Sequence, residues 1–132
     1  MNRERIPDEL RRFILADIPS VPFLEAMLLL RREAGRAWES RLLARELYVD
    51  DAVARALLDE LHSAGILVKD HGKPPAFRYG PSPESLRRMI DLLAECYSRH
   101  LVEISNLIHA KRGKSGTREQ SAADAVKGQK NS

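Results

Sequence analysis

The amino-acid sequence predicts a mainly α-helical protein with one short β-hairpin, and three observations support this fold class. First, apolar residues recur every three or four positions through most of residues 5–110, which is the period of a helix with one buried face. Second, two short segments with strand-forming residues, 66–69 and 76–79, flank a turn rich in glycine and proline. Third, 43% of the 132 residues are hydrophobic, which is enough for one packed core.

Two helices are predicted before residue 36. Pro7 and the two acidic residues after it are typical of a helix start. The segment 19–22 contains two prolines and ends this helix, and Ser20 is placed to cap the next one. The second helix runs to about Gly35, and we expect it to be buried on several sides because it is apolar nearly all round. The inward face of the first helix is predicted to consist of Leu10, Phe13, Ile14 and Ile18.

A second pair of helices is predicted on either side of a tight turn. The segment 40–47 predicts a short helix, and the turn lies at 48–49. Asp50 is a favourable N-cap residue for a longer helix over 51–64. Gly65 ends that helix, because glycine readily adopts the left-handed conformation found there, and the hairpin follows directly.

This order of helix, short helix, turn, helix and hairpin is that of a winged helix-turn-helix. The chain resembles the MarR-like small transcription factors of bacteria over about residues 20–80. The most specific part is the end of the longer helix, where Leu61 is followed by three linking residues, Gly65 and two apolar residues. The resemblance implies a winged-helix domain over 1–80, including the N-terminal helix, and a bacterial regulator of transcription that binds double-stranded DNA.

In such domains the second helix of the pair enters the major groove and the first lies across the DNA backbone. The resemblance therefore implies DNA contacts from three elements. On the first helix they are Ser40, Arg41 and Arg45; on the recognition helix Asp51, Ala52, Arg55 and Ala56; and on the wing Lys69, His71, Lys73 and Arg78.

Arg55 is the strongest candidate for a base contact, because arginine binds guanine through two hydrogen bonds. The competing interpretation is an ion pair with Asp51 or Asp59, each four residues away on the same helix face. For the arginines and lysine at 41, 45, 73 and 78, a solvated surface charge is the equally simple alternative.

The recognition helix is unusually acidic for a DNA-binding element. With its N-cap it carries four acidic residues and one arginine, a net charge of −3. Carboxylates are repelled by phosphates, and winged helices also serve as protein-interaction modules. The alternative function is therefore an adaptor that binds another protein.

The segment 81–110 predicts one long helix that begins near Pro83, extends for roughly 28 residues and measures on the order of 40 Å. Its apolar residues alternate at four- and three-residue spacing, which favours a seam for a partner helix and hence a homodimer reading a pseudo-palindromic site. The alternative is packing against the first helix of the same chain, and we expect the stripe to serve both. His100 is expected to be a packed, hydrogen-bonded residue. The predicted dimerisation residues are Leu86, Ile90, Leu93, Tyr97, His100, Ile104 and Leu107.

The positive net charge of +3 comes from the C-terminal segment. Residues 1–110 carry a net charge of −1, whereas residues 111–132 carry +4 and contain a single valine among Lys, Gly, Ser, Gln and Ala. This composition predicts a disordered basic tail. The overall charge is therefore weak evidence for a DNA-binding fold.

Other classes of function lack the residues they need. The single cysteine, Cys96, excludes an internal disulfide, and the four histidines are not spaced for a metal site. The sequence has no phosphate-binding glycine loop and no nucleophile motif. We predict a protein without enzymatic activity, cofactor or membrane partner that is located in the cytoplasm.

Overall fold

The structure is a computed structural model that describes residues 6–110. The predicted tail at 111–132 lies outside the described residues. Within them the chain forms six helices and a two-stranded antiparallel sheet, which confirms the mainly α-helical class. The elements are α1 Asp8–Asp17, α2 Val21–Arg32, α3 Ser40–Leu47, α4 Asp51–Ser63, β1 Leu67–Lys69, β2 Phe77–Tyr79, α5 Glu84–Tyr97 and α6 101–110.

Helices α1 and α2 form much of the core. Leu10, Ile14 and Ile18 are fully buried, as predicted, and Phe13 is partly buried beside them. The Ser20 hydroxyl accepts a hydrogen bond from the backbone N–H of Phe23 at 3.2 Å, which confirms the predicted N-cap of α2. Six residues of α2 are buried, as expected for a helix that is apolar on most sides.

Helices α3 and α4 have nearly the predicted bounds. Tyr48 ends α3 in the left-handed conformation with φ 59°, so the chain turns sharply into α4. Asp50 is the N-cap residue of α4, as predicted, although its side chain makes no capping hydrogen bond. The buried face of α4 consists of Ala54, Leu57, Leu58 and Leu61.

The hairpin is anchored to the helices at two points. Gly65 has φ 83°, a conformation that favours glycine, and a Cβ atom there would lie 3.1 Å from the carbonyl oxygen of Ser82. Both the backbone conformation and the close contact therefore favour glycine at this position. Trp38, which is fully buried, pairs with Phe77 of β2 through two backbone hydrogen bonds of 2.7 and 2.8 Å. The loop before α3 therefore continues the small sheet along the outer edge of β2.

The prediction of one uninterrupted helix from Pro83 to Ala110 is wrong. Helix α5 ends at Tyr97, residues 98–100 form a turn, and α6 follows. At the turn the backbone N–H groups of Arg99 and His100 both donate to the carbonyl oxygen of Cys96. Nδ1 of His100 lies 2.6 Å from Oε1 of Glu103 in the first turn of α6, so His100 is the hydrogen-bonded residue that was expected.

The predicted dimer seam is consequently split between two helices, and much of it is used within the chain. Ile90, Leu93 and Ile104 are fully buried in the chain's own core. The Tyr97 hydroxyl donates to a carboxylate oxygen of Glu25 in α2 at 3.2 Å. Leu86, His100 and Leu107 are only partly buried. Packing within one chain therefore accounts for much of the stripe, and the homodimer stays a prediction.

Candidate nucleic-acid interface

The outward face of α4 is open to solvent along its length. Asp51, Ala52, Arg55 and Ala56, the four positions predicted to face DNA, are all exposed. The helix positions this face because its opposite side packs into the core. Val53, beside the same face, also remains 43% exposed.

Residues from three elements meet around one cleft of about 420 Å³ next to this face. Ser40 comes from the first turn of α3, Arg55 from α4, and Lys69 and Lys73 from the hairpin. These four were predicted as DNA contacts from separate parts of the sequence, and the fold brings them together. Leu58, Asp59, Pro74, Pro75 and Phe77 complete the lining.

The hairpin holds its basic residues in place through packing and through one carboxylate. The Lys69 ammonium lies 5.6 Å from the ring centre of Phe77, and the His62 ring of α4 meets the same ring edge-on at 6.0 Å. At the tip, Oδ1 of Asp70 accepts hydrogen bonds from the backbone N–H groups of Gly72 and Ala76, both at 2.9 Å.

The same two hydrogen bonds affect the ionisation of Asp70. The backbone N–H of Ala76, followed by that of Gly72, lowers the pKa of the Asp70 carboxyl below its ordinary value, with smaller contributions from His71 and Arg78. The charged form of Asp70 is therefore the one that orders the loop carrying Lys73.

A second set of contacts joins α3 to α4. The Ser40 hydroxyl donates to Oδ1 of Asp51 at 2.8 Å, and Nη2 of Arg55 lies 3.4 Å from Oδ2 of the same carboxylate. The predicted ion pair of Arg55 with Asp51 is thus confirmed. The contact from Ser40 was not predicted, since the two residues are eleven positions apart and meet only because of the angle between the helices.

The remaining predicted residues do not line the cleft. Arg41 and Arg45 are exposed on α3, and within residues 6–110 neither forms an ion pair. His71 is exposed at the hairpin tip. Arg78 pairs with Val68 in the sheet, so it lies on the opposite face from Lys69 and Phe77.

Sequence reasoning missed an aromatic residue at this surface. Tyr48 is 93% exposed in the turn between α3 and α4, three residues before the first residue of α4. The sequence feature that could have indicated this surface residue is an aromatic side chain at a turn position that glycine or asparagine normally occupies.

The acidic part of α4 faces a different hollow. Glu60 lines a cavity of about 490 Å³ together with Asp17 and Phe23 from α1 and α2, and Asp59 borders both this cavity and the cleft of Ser40 and Arg55. The N-terminal half of α4 thus lies beside basic residues, whereas its C-terminal half contributes to an acidic surface.

Comparison with protein-family models, curated proteins and solved structures finds no match to this chain. No group of three or more metal-ligating side chains occurs within residues 6–110. No single helix of that range is long and apolar enough to cross a membrane, although α1 and α2, which meet at 110°, satisfy the length and composition criteria when taken together.

Proposed function

We propose that this protein is a winged-helix DNA-binding regulator of transcription, in which α4 is the recognition helix and the β1–β2 hairpin is the wing. The observation that carries the proposal is the common cleft of Ser40, Arg55, Lys69 and Lys73. A helix face flanked by a hairpin with basic residues is suited to a duplex, because the helix occupies the groove while the flanking cations meet phosphates.

The order and pairing of the elements support this assignment. Helices α3 and α4 are joined by a turn of three residues, and α4 leads through Gly65 into the hairpin. The bridge between Trp38 and Phe77 adds a short third segment to the sheet, between α2 and α3. A helix pair followed by a hairpin, with a third sheet segment before the pair, is the order expected for a winged helix rather than for a helix pair alone.

The charge of the C-terminal segment supports the same function. His109, near the end of α6, lines a cavity with Val53, Ala56 and Glu60 of α4. The chain therefore leaves its described part close to the recognition helix, and the following residues 111–132 carry a net charge of +4. Basic residues in a DNA-binding chain neutralise phosphates and release counterions, which supports the proposal through the charge of this segment alone.

Fluorescence anisotropy with duplex DNA at several salt concentrations tests the proposal. We expect salt-sensitive binding, and Lys73→Gln should lower the slope of log K against log salt by about 1 if Lys73 contacts a phosphate. Arg88→Gln is the control, because Arg88 is an exposed cation on α5 that does not line the cleft. A folded protein that binds no duplex at high micromolar concentration would disprove the proposal.

A protein-binding adaptor is the second candidate, and the acidic cavity of Asp17, Asp59 and Glu60 favours it. Asp59→Lys separates the two functions. An adaptor should lose a stoichiometric protein partner on this substitution, whereas a DNA-binding protein should only gain affinity for DNA. Co-purification and anisotropy measured on the same variant distinguish these results.

A further inference from the structure

We infer that Ser40, Asp51 and Arg55 form one base-reading unit directed to a G·C pair. The inference rests on the proposed function, and it specifies what the recognition helix reads. Asp51 is the first residue of α4 and Arg55 lies about one helical turn later, so both belong to the N-terminal part of the helix that contacts base edges in a helix-turn-helix.

The unit is open to a ligand and is held in place from two sides. The side chain of Arg55 is 68% exposed and that of Asp51 is 49% exposed. The Asp51 carboxylate is fixed by Ser40 from α3 at 2.8 Å and by Arg55 from α4 at 3.4 Å. An exposed ion pair alone contributes little to stability, but here a third group from another helix restricts the carboxylate and thereby the guanidinium.

The remaining hydrogen-bonding capacity matches the major-groove edge of a G·C pair. A guanidinium has five N–H donors, and the contact with Asp51 uses one, so Arg55 retains donors for O6 and N7 of guanine. The carboxylate has about four acceptor sites, of which Ser40 and Arg55 occupy two. Asp51 can therefore accept a hydrogen bond from the N4 amino group of a cytosine.

The same carboxylate disfavours other ligands. It is acceptor-only, so it repels the O4 that a thymine would present in place of the cytosine amino group, and it repels the phosphate oxygens of the backbone. A phosphate bound at Arg55 would be repelled by the negative charge of Asp51. A base edge carries no net charge, so it would not be repelled in this way. The acidity of the recognition helix, which counts against nonspecific attraction to DNA, thus contributes to discrimination between base pairs.

Selection of duplexes from a random-sequence pool by the full chain tests this inference. The wild-type protein should enrich a G·C pair at one position of each bound site. Arg55→Lys keeps the charge but loses the two-donor geometry, so it should reduce the preference at that position about tenfold. Arg88→Lys is the matched control, because Arg88 is an exposed arginine on α5 that does not line the cleft, and it should leave the preference unchanged.

Two further variants test the role of the carboxylate. Asp51→Asn should weaken the G·C preference and raise the affinity for unrelated duplexes, because a negative charge is removed from the groove-facing surface. Ser40→Ala should weaken the preference without raising that affinity to the same extent. Circular dichroism confirms that each variant is folded.

The outcomes separate this inference from the proposed function. Duplex binding without an enriched G·C position, or with a preference that survives Arg55→Lys, overturns the base-reading unit and leaves the DNA-binding function intact. Absence of duplex binding by the wild-type protein overturns both.

Discussion

Helix α4 and the α5–α6 segment are both amphipathic, yet they present different surfaces. The outward face of α4 is exposed and carries charged or small residues. The apolar stripe of α5 and α6 is largely turned inward, where Ile90, Leu93 and Ile104 are fully buried. Regular apolar spacing therefore does not by itself identify an interaction surface, because this chain uses much of such a stripe in its own core.

The largest expected effect tests whether the α5–α6 stripe belongs to the core. Ile104→Ala should lower the free energy of unfolding by about 2–4 kcal/mol, because it leaves a cavity among buried side chains. Leu101→Ala is the control on the same helix and should cost far less, since Leu101 is 50% exposed. Urea denaturation measures both.

The opposite result would support the predicted dimer seam. If Ile104→Ala left the unfolding free energy of the monomer unchanged but shifted a concentration-dependent dimer equilibrium, the residue would belong to an interface. Analytical ultracentrifugation over a range of concentrations measures that equilibrium.

The next effect concerns the junction of α4, the hairpin and the start of α5. Gly65→Ala should destabilise the protein by about 1–3 kcal/mol, because it adds left-handed strain and a close contact with the Ser82 carbonyl. Gly35→Ala is matched in backbone conformation, with φ 98°, but a Cβ there meets nothing within 4 Å. Equal losses for the two variants would show that the contact with Ser82 contributes nothing.

A smaller effect of opposite sign is expected at the turn before α4. Tyr48→Gly should raise the free energy of unfolding by about 0.5–1 kcal/mol, because glycine adopts the left-handed conformation without strain and the exposed ring contributes little packing. If the tyrosine ring instead contacts DNA, the same variant should lose affinity while it gains stability. Thermal unfolding and anisotropy on one preparation measure the two quantities.

The smallest effect is a pH dependence of the hairpin tip. The pKa of Asp70 is lowered in the folded state, so its contribution is present above the ordinary value of 3.8 and is lost as the pH falls through the lowered pKa. We expect the amides of Gly72 and Ala76 to lose protection at acidic pH in the wild type, as measured by NMR. In Asp70→Asn this acid-dependent change should disappear, whereas Asp59→Asn should retain it.

Local signals were sufficient for α3, α4 and the hairpin. The bounds of α3 were predicted correctly because the turn after it and the helix start at Asp51 follow within four residues. The glycine at 65 was identified for the same reason, since the need for a left-handed residue is local.

The break between α5 and α6 had no comparable signal. No glycine or proline occurs from 84 to 110, and the apolar spacing fits two helices as well as one. The weak sign was the polar triplet Ser98-Arg99-His100, with Glu103 three residues after His100, the spacing of a cap and its acidic partner. Ile104 and Ile108 of α6 are fully buried, and tertiary packing of this kind is not visible in the local sequence.

In the candidate site, too, some contacts follow from local sequence and others depend on tertiary packing. The pairing of Arg55 with Asp51 follows from their spacing on one helix. The contact of Ser40 with Asp51 depends on how α3 crosses α4. The strand alternation that separates Arg78 from Lys69 was already contained in the sequence, because Arg78 is adjacent to the inward-facing Phe77.

The bridge between Trp38 and Phe77 determines which parts of the hairpin are tied to the helices. The first residue of β2, Phe77, pairs with Trp38 in the loop before α3, and Phe77 also pairs with Lys69, so the loop end of the hairpin is tied to the helical part of the protein. The loop at 70–76 is closed by the Asp70 carboxylate, which accepts from Gly72 and Ala76, and by a 2.9 Å hydrogen bond from the N–H of Asp70 to the carbonyl oxygen of Ala76. In the proposed complex with DNA, Lys73 would therefore be the one basic residue of the cleft, within residues 6–110, whose position is set by a loop and not by a helix or strand.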